Sequence, residues 1–263
     1  MKRKVLNPFL FVALLVLAVG LACGIDFGTK TPEPPQPIIQ PTSAPIQPTS
    51  APLQPTAPIE QPTQIPPTAI TQSRFFTENF DTNVDNWSPF VTKGQLGQAN
   101  LSLDGGYYVF NLPEMQVWAY SIYTPEVYSD VRIDLVAENR GFNNNNVTLV
   151  CRYDKEDGWY EASIANNGLY WIYYGKWDRG GTTASYALIL NGGSNDIKTG
   201  KQTNTYAFIC QGRTLTLGIN GVEADSVEDN KHVLRDGNVG IGVSSFTVIP
   251  IRVDFDSVQI SEP

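Results

Sequence analysis

From Phe75 onward, apolar and polar positions alternate in short runs that turn-forming residues interrupt. The β-rich runs are Phe75–Phe80, Tyr107–Leu112, Val117–Tyr123, Val131–Ala137, Val147–Tyr153, Trp159–Ala165, Leu169–Tyr174, Tyr186–Leu190, Thr205–Gln211, Thr214–Asn220, Asn238–Val243 and Ile251–Ile260. Between them stand Asp104-Gly105-Gly106, Asn166-Asn167-Gly168, Asn191-Gly192-Gly193, Gln211-Gly212, Asn220-Gly221 and Asp236-Gly237. These are turn signals. No long segment carries the 3.6-residue spacing of an amphipathic helix. Many short strands with frequent turns predict an all-β sandwich or barrel.

One run departs from the average. Cys151–Trp177 holds eight aromatic residues in 27, among them three of the chain's five tryptophans. Asn166-Asn167-Gly168 should fold it into a hairpin, in one of two registers. A two-residue turn opposes Ile164 to Trp171. A three-residue loop, with Gly168 in the left-handed conformation, opposes Ile164 to Tyr170, Ala162 to Ile172 and Tyr160 to Tyr174. The second is preferred, because it puts Tyr160, Ala162, Ile164, Tyr170, Ile172 and Tyr174 on one inward face. Trp159, Glu161, Ser163, Trp171 and Tyr173 then point outward. Such a set suits a sugar platform, since rings stack on pyranose C–H faces while polar groups take hydroxyls. Trp177 is expected as an exposed ring at a loop edge. The competing expectation is a covered core, with Trp171 beneath the segment 175–185.

The N-terminal part is a different polymer. Lys2, Arg3 and Lys4 precede an apolar run over Phe9–Leu21 that is short for a membrane span. Gly20-Leu21-Ala22-Cys23 resembles a bacterial lipobox, which implies a signal peptide over 1–22 and lipidation at Cys23; a plain signal peptide or an uncleaved anchor is the alternative. Residues 29–72 contain 13 of the 19 prolines and no aromatic residue. A seven-residue unit restarts at Gln40, Gln47, Gln54 and Gln61, but proline in each unit forbids a coiled coil. Residues 23–73 read as a disordered Pro/Thr-rich linker, about 130 Å long over 29–72 if extended at ~3.1 Å per residue.

Residues 74–263 suffice for one domain. They carry 14 Lys and Arg against 23 Asp and Glu. That acidity argues against nucleic acid and against electrostatic adhesion to anionic lipid. Cys151 and Cys210 are an even pair in an exported domain, which favours a disulfide, bridging one sheet if their strands are neighbours.

The order of "FFTENFDTNVDNW", "GGYYVF", "SDVRIDLVAEN", "VTLVCRYDKEDGWYEASIANNGLYWI", "NTYAFICQGRTLTLGINGVEADSVED", "GNVGIGV" and "RVDFDSVQI" resembles a concanavalin A-like (laminin G-like) domain. Asn220-Gly221 after a Leu-x-Leu-x-Ile strand is similar to that family's L-x-V-N-G step. The resemblance implies a two-sheet antiparallel jelly-roll sandwich whose first and last strands pair. It also implies candidate chemistry. Glucanases of this fold carry Glu-x-Asp-x-(x)-Glu, whose carboxylates flank the scissile bond, and Glu223, Asp225 and Glu228 have that spacing. They follow the Asn220-Gly221 turn, however, with no tryptophan before them, and read better as charges on an exposed return strand. Asn145-Asn146 and Tyr160-Glu161 faintly resemble 3-keto-disaccharide hydrolase-type domains, in which Glu161 would be the carboxylate to test. Carbohydrate-binding jelly rolls often hold a structural Ca2+ near the chain ends, which would fall to Asp81, Asp254 and Asp256. The single histidine, His232, reads as a solvated loop residue, which argues against a nucleophile–His–acid system.

The expectation from sequence is therefore a membrane-anchored surface lipoprotein presenting a non-catalytic, lectin-like sandwich to a glycan or cell-surface polysaccharide. A glycoside-processing enzyme and a ligand-free envelope module are the alternatives.

Overall fold

The computed structural model describes residues 73–263. The expected signal peptide, the expected lipidation site Cys23 and nearly all of the expected Pro/Thr-rich linker lie outside the described residues. Fifteen strands follow in order: β1 (Phe76–Glu78), β2 (Trp87–Lys93), β3 (Asn100–Asp104), β4 (Tyr107–Leu112), β5 (Trp118–Tyr128), β6 (Val131–Asn139), β7 (Asn145–Asp154), β8 (Gly158–Ala165), β9 (Leu169–Trp177), β10 (Ala184–Gly193), β11 (Thr203–Gln211), β12 (Thr214–Ile219), β13 (Val222–Glu228), β14 (Gly237–Ser245) and β15 (Ile251–Ser261). One sheet has the order β13-β12-β11-β6-β15-β4-β3, with β1 also on β15. The other has the order β10-β9-β8-β7-β14-β5-β2. All pairings are antiparallel, and the first and last strands pair as expected.

Alternation builds the core between the sheets. Phe110, Ile133, Leu135, Phe208, Leu217 and Phe255 from the first sheet meet Leu149, Ala162, Ile172 and Ile241 from the second. Each strand thus contributes every second residue inward. The hairpin takes the three-residue register: Ile164 faces Tyr170, Ala162 faces Ile172 and Tyr160 faces Tyr174. Gly168 holds φ at +96°, the left-handed conformation that this loop requires.

Four expectations are corrected. Asn191-Gly192-Gly193 is no turn; it ends β10, where Gly192 pairs with Tyr170 and Gly193 with Leu169. Two edge strands, β2 and β3, were not anticipated. β2 contains Pro89, which an edge strand tolerates because no donor is needed on its free side. Cys151 and Cys210 do form a disulfide, but β7 and β11 belong to opposite sheets, so the bridge crosses the core rather than one sheet. His232 is not a solvated loop residue: its ring stacks on Tyr174 at 4.0 Å, and its Nδ1 lies 3.2 Å from buried Asp229.

Beside the disulfide, Arg152 is fully buried. Its guanidinium donates to the carbonyls of Ser129, Gly212 and Leu234 and to Asp130. One side chain thereby ties together the β5–β6 turn, the β11–β12 turn and the segment before β14.

Candidate functional site

The outer face of the seven-stranded sheet carries a second, aromatic cluster. Strand pairing aligns its residues in rows. Trp171, Ser163, Thr148, Gly242, Tyr120 and Phe90 form one row; Tyr173, Glu161, Val150, Gly240 and Ile122 form the next. Strand β14, between β7 and β5, offers only glycine in these two rows. A Cβ on Gly242 would lie 2.8 Å from the Tyr120 ring, so its absence lets Tyr120 lie across the sheet. Tyr120 Oη then reaches Glu161 Oε2 at 3.1 Å, from a strand three places away. Gly175 does the same for Trp159: a Cβ there would lie 2.3 Å from the indole.

Trp159 is consequently 0% exposed, which corrects its expected place on an open platform. Phe90, Tyr153, Trp177 and Tyr186 pack around it, and Phe90 stacks on Tyr120 at 5.1 Å. Trp177 is half-buried in this cluster and donates to Tyr153 Oη at 3.2 Å, so it too is no free edge ring. The covering rings come from β2, β7, β9 and β10 rather than from a loop over Trp171.

Next to this cluster the same face opens into a cavity of about 330 Å3. Trp118, Trp171, Tyr173, Tyr186 and Phe246 supply rings. Asn143, Asn144, Asn145, Asn146, Asn166 and Asn167 supply amides, and Ser163 and Ser244 hydroxyls. Glu161 is the one carboxylate in the lining. Asn146 donates to Ser163 Oγ at 3.0 Å. Asn144 Oδ1 accepts from the backbone N–H of Thr247 and of Val248, at 2.7 and 3.0 Å, which joins the rim loops after β6 and β14. Trp118 Nε1 is buried with no protein acceptor. A shielded indole N–H without a partner is costly, and ligand groups are among the things that satisfy one.

Glu161 is 3% exposed. Its Oε2 accepts from Trp159 Nε1 at 2.8 Å and from Tyr120 Oη at 3.1 Å. Burial pushes the carboxyl up to about 7, against the pull of these two donors. The carboxyl is therefore poised between its acid and its anion near neutral pH.

Of the outward residues expected from sequence, Glu161, Ser163, Trp171 and Tyr173 meet in the cavity; Trp159 and Trp177 do not line it. Asn145, Asn146 and Glu161, linked earlier by a family resemblance, do converge there. Glu223, Asp225 and Glu228 sit on β13, the edge strand of the opposite sheet, away from the cavity. Asp225 accepts a hydrogen bond from Tyr170 Oη at 3.3 Å. The proposed calcium ligands do not fit a cation. Asp254 is buried and ion-paired with Arg140 and Arg252 at 3.1 and 2.7 Å. Asp81 and Asp256 are exposed, and no group of three or more acidic, histidine or cysteine side chains is arranged for a metal among the described residues. Sequence reasoning missed Trp118, Tyr186, Phe246 and the remaining amides, Asn143, Asn144, Asn166 and Asn167, as lining residues. The run Asn143–Asn146 was the one local signal, four amides where a rim loop enters β7.

The two-sheet antiparallel sandwich and its β1–β15 closure define a concanavalin A-like jelly-roll fold. Comparison with solved structures gives the same fold. A Bacteroides ovatus mixed-linkage glucan GH16 enzyme, in complex with its G4G4G3G product, is 10% identical at a TM-score of 0.52, over 71% of this chain and 99% of its own. A Bacillus subtilis protein of unknown function with a galectin-like fold is 11% identical at 0.54, over 71% and 94%. A Bacillus licheniformis β-glucanase is 11% identical at 0.50, over 73% and 100%. No protein-family model and no curated protein matches the sequence.

Proposed function

We propose that the protein is an extracytoplasmic lipoprotein, anchored through Cys23 and carried on its Pro/Thr-rich linker, whose sandwich binds a glycan without cleaving it. The observation that carries this reading is the cavity's composition. Rings, amides and hydroxyls surround a single carboxylate, which is the chemistry of sugar recognition. Trp171 and Tyr173 offer stacking surface, the asparagines offer paired donors and acceptors, and Trp118 adds a further ring. Glucan-acting enzymes among the structural neighbours are in keeping with a glycan ligand. Hydrolysis with two carboxylates is disfavoured, because the lining holds no second acid to pair with Glu161.

A glycan array probed with the full-length protein and with Trp171→Ala tests the binding role. Binding to a defined glycan set, lost in Trp171→Ala, supports it. No binding at high protein concentration contradicts it.

The raised carboxyl of Glu161 favours one second reading, a glycoside-processing enzyme with Glu161 as acid or base. Reducing-sugar release from a polysaccharide panel, abolished in Glu161→Gln, would establish that reading in place of the first.

A further inference from the structure

The cavity wall is electrostatically one-sided. Its carboxylate is Glu161, and no Lys, Arg or His lines it. Lys93 lies over the Trp118 ring, 5.2 Å from the centroid, but does not line the cavity. Tyr173 and Tyr186 stand near Glu161 and Trp171 shares the lining, and aromatic faces attract cations through the ring quadrupole. Both internal donors to Glu161 go to Oε2, which leaves Oε1 for a ligand. The chain as a whole carries a net charge of −8. Apart from the Lys93 ammonium over Trp118, the charge and the rings that line this cavity favour a cation.

Resting on the glycan reading above, we infer that the cavity selects a sugar unit bearing an ammonium group, such as an unacetylated amino sugar, with Glu161 Oε1 accepting from its N–H. A neutral hydroxyl gains one ordinary hydrogen bond from Glu161. An ammonium gains a charge-assisted hydrogen bond and the attraction of the rings. It also gives the carboxylate a counter-charge where burial otherwise favours the protonated acid. When the ammonium enters a protein molecule holding that acid, the displaced proton passes to solvent. The volume, about 330 Å3, is at the small end of the ~300–1,000 Å3 range of small-molecule sites, which fits a short glycan segment rather than a long chain.

The test compares three oligosaccharides of equal length: a glucosamine oligomer, its fully N-acetylated form and a neutral glucose oligomer. Each is titrated calorimetrically into the full-length protein close to pH 7, where the Glu161 carboxyl is about half ionised and part of the amines stay charged, at two salt concentrations. The glucosamine oligomer is expected to bind at least tenfold more tightly than both others. That ratio should persist at high salt and fall close to one in Glu161→Gln. Equal or tighter binding of the neutral or acetylated oligomer overturns this inference and leaves the glycan reading standing. A preference that survives in Glu161→Gln or vanishes with salt assigns it to the acidic surface, which also overturns it. Absence of binding by all three overturns both readings. The acetylated comparison needs no variant, so it decides the matter even if Glu161→Gln does not fold.

Discussion

Trp159 Nε1 donates to Glu161 Oε2 at 2.8 Å, and both side chains are buried, although Glu161 still reaches the cavity wall. The pair stands two residues apart on β8 and ties the buried aromatic cluster to the floor of the cavity. Tyr120 completes the hold on the same oxygen, while burial, and after it the nearby Glu161 charge, raises the hydroxyl pKa values of Tyr173 and Tyr186.

This arrangement makes stability depend on pH. The Glu161 carboxyl moves from its ordinary 4.5 to about 7 on folding, chiefly because burial disfavours its anion. Between these values the folded protein keeps a proton that the unfolded chain has released. The contribution is fully present below the lower value and is lost as pH rises through the upper one. The loss is about 3 kcal/mol. Glu161→Gln has no such proton, so its stability relative to the native protein should rise by about that amount across the window. Urea melts of both proteins at several pH values check this. A difference that stays constant with pH contradicts it.

Removal of the disulfide should cost about 2–4 kcal/mol, since the bridge joins the two sheets and restrains the unfolded chain. Cys151→Ala combined with Cys210→Ala, compared with the native protein by urea denaturation, measures this. An unchanged midpoint would show that the cross-core bridge adds nothing.

Arg152→Met should be more harmful than a typical surface substitution. It strips the carbonyls of Ser129, Gly212 and Leu234 of a charged donor and leaves Asp130 without its ion-pair partner. A loss of about 3 kcal/mol or more is expected. Arg152→Lys should recover little, because an ammonium cannot span the same set of acceptors. Thermal unfolding of both variants tests the argument; full recovery by lysine contradicts it.

Gly175→Ala should disturb the aromatic cluster without touching the core between the sheets. Its Cβ would sit 2.3 Å from the Trp159 indole, so the ring must shift or the strands must part. The expected cost is about 1–3 kcal/mol, with a changed tryptophan fluorescence. Native stability and an unaltered spectrum would show that the close approach carries no constraint.

Alternation and turn chemistry made the sandwich legible. The inward face of the β8–β9 hairpin follows from the need to bury Tyr160, Ile164, Tyr170 and Ile172 together, and Gly168 supplies the loop that allows it. β2 and β3 were hidden because edge strands bury little and need no full pattern; Pro89 in β2 even argues against a strand. The site was half legible. Glu161, Ser163, Trp171 and Tyr173 lie on one hairpin, so period-two reasoning brings them together. Trp118, Tyr186 and Phe246 come from distant segments and join only through strand order. The burial of Trp159 was equally invisible: it depends on Phe90 from an unforeseen strand and on the missing Cβ of Gly175.

The central claim, that the cavity beside Glu161 is the glycan site, is tested most directly by the indole N–H resonances of the five tryptophans during titration with an oligosaccharide that the protein binds. Trp118 and Trp171 line the cavity, whereas Trp87 lies in the core between the sheets. Saturable shifts are predicted for Trp118 and Trp171, which line the cavity, with Trp87 unmoved. Binding that leaves Trp118 and Trp171 unshifted would place the glycan elsewhere and contradict the claim.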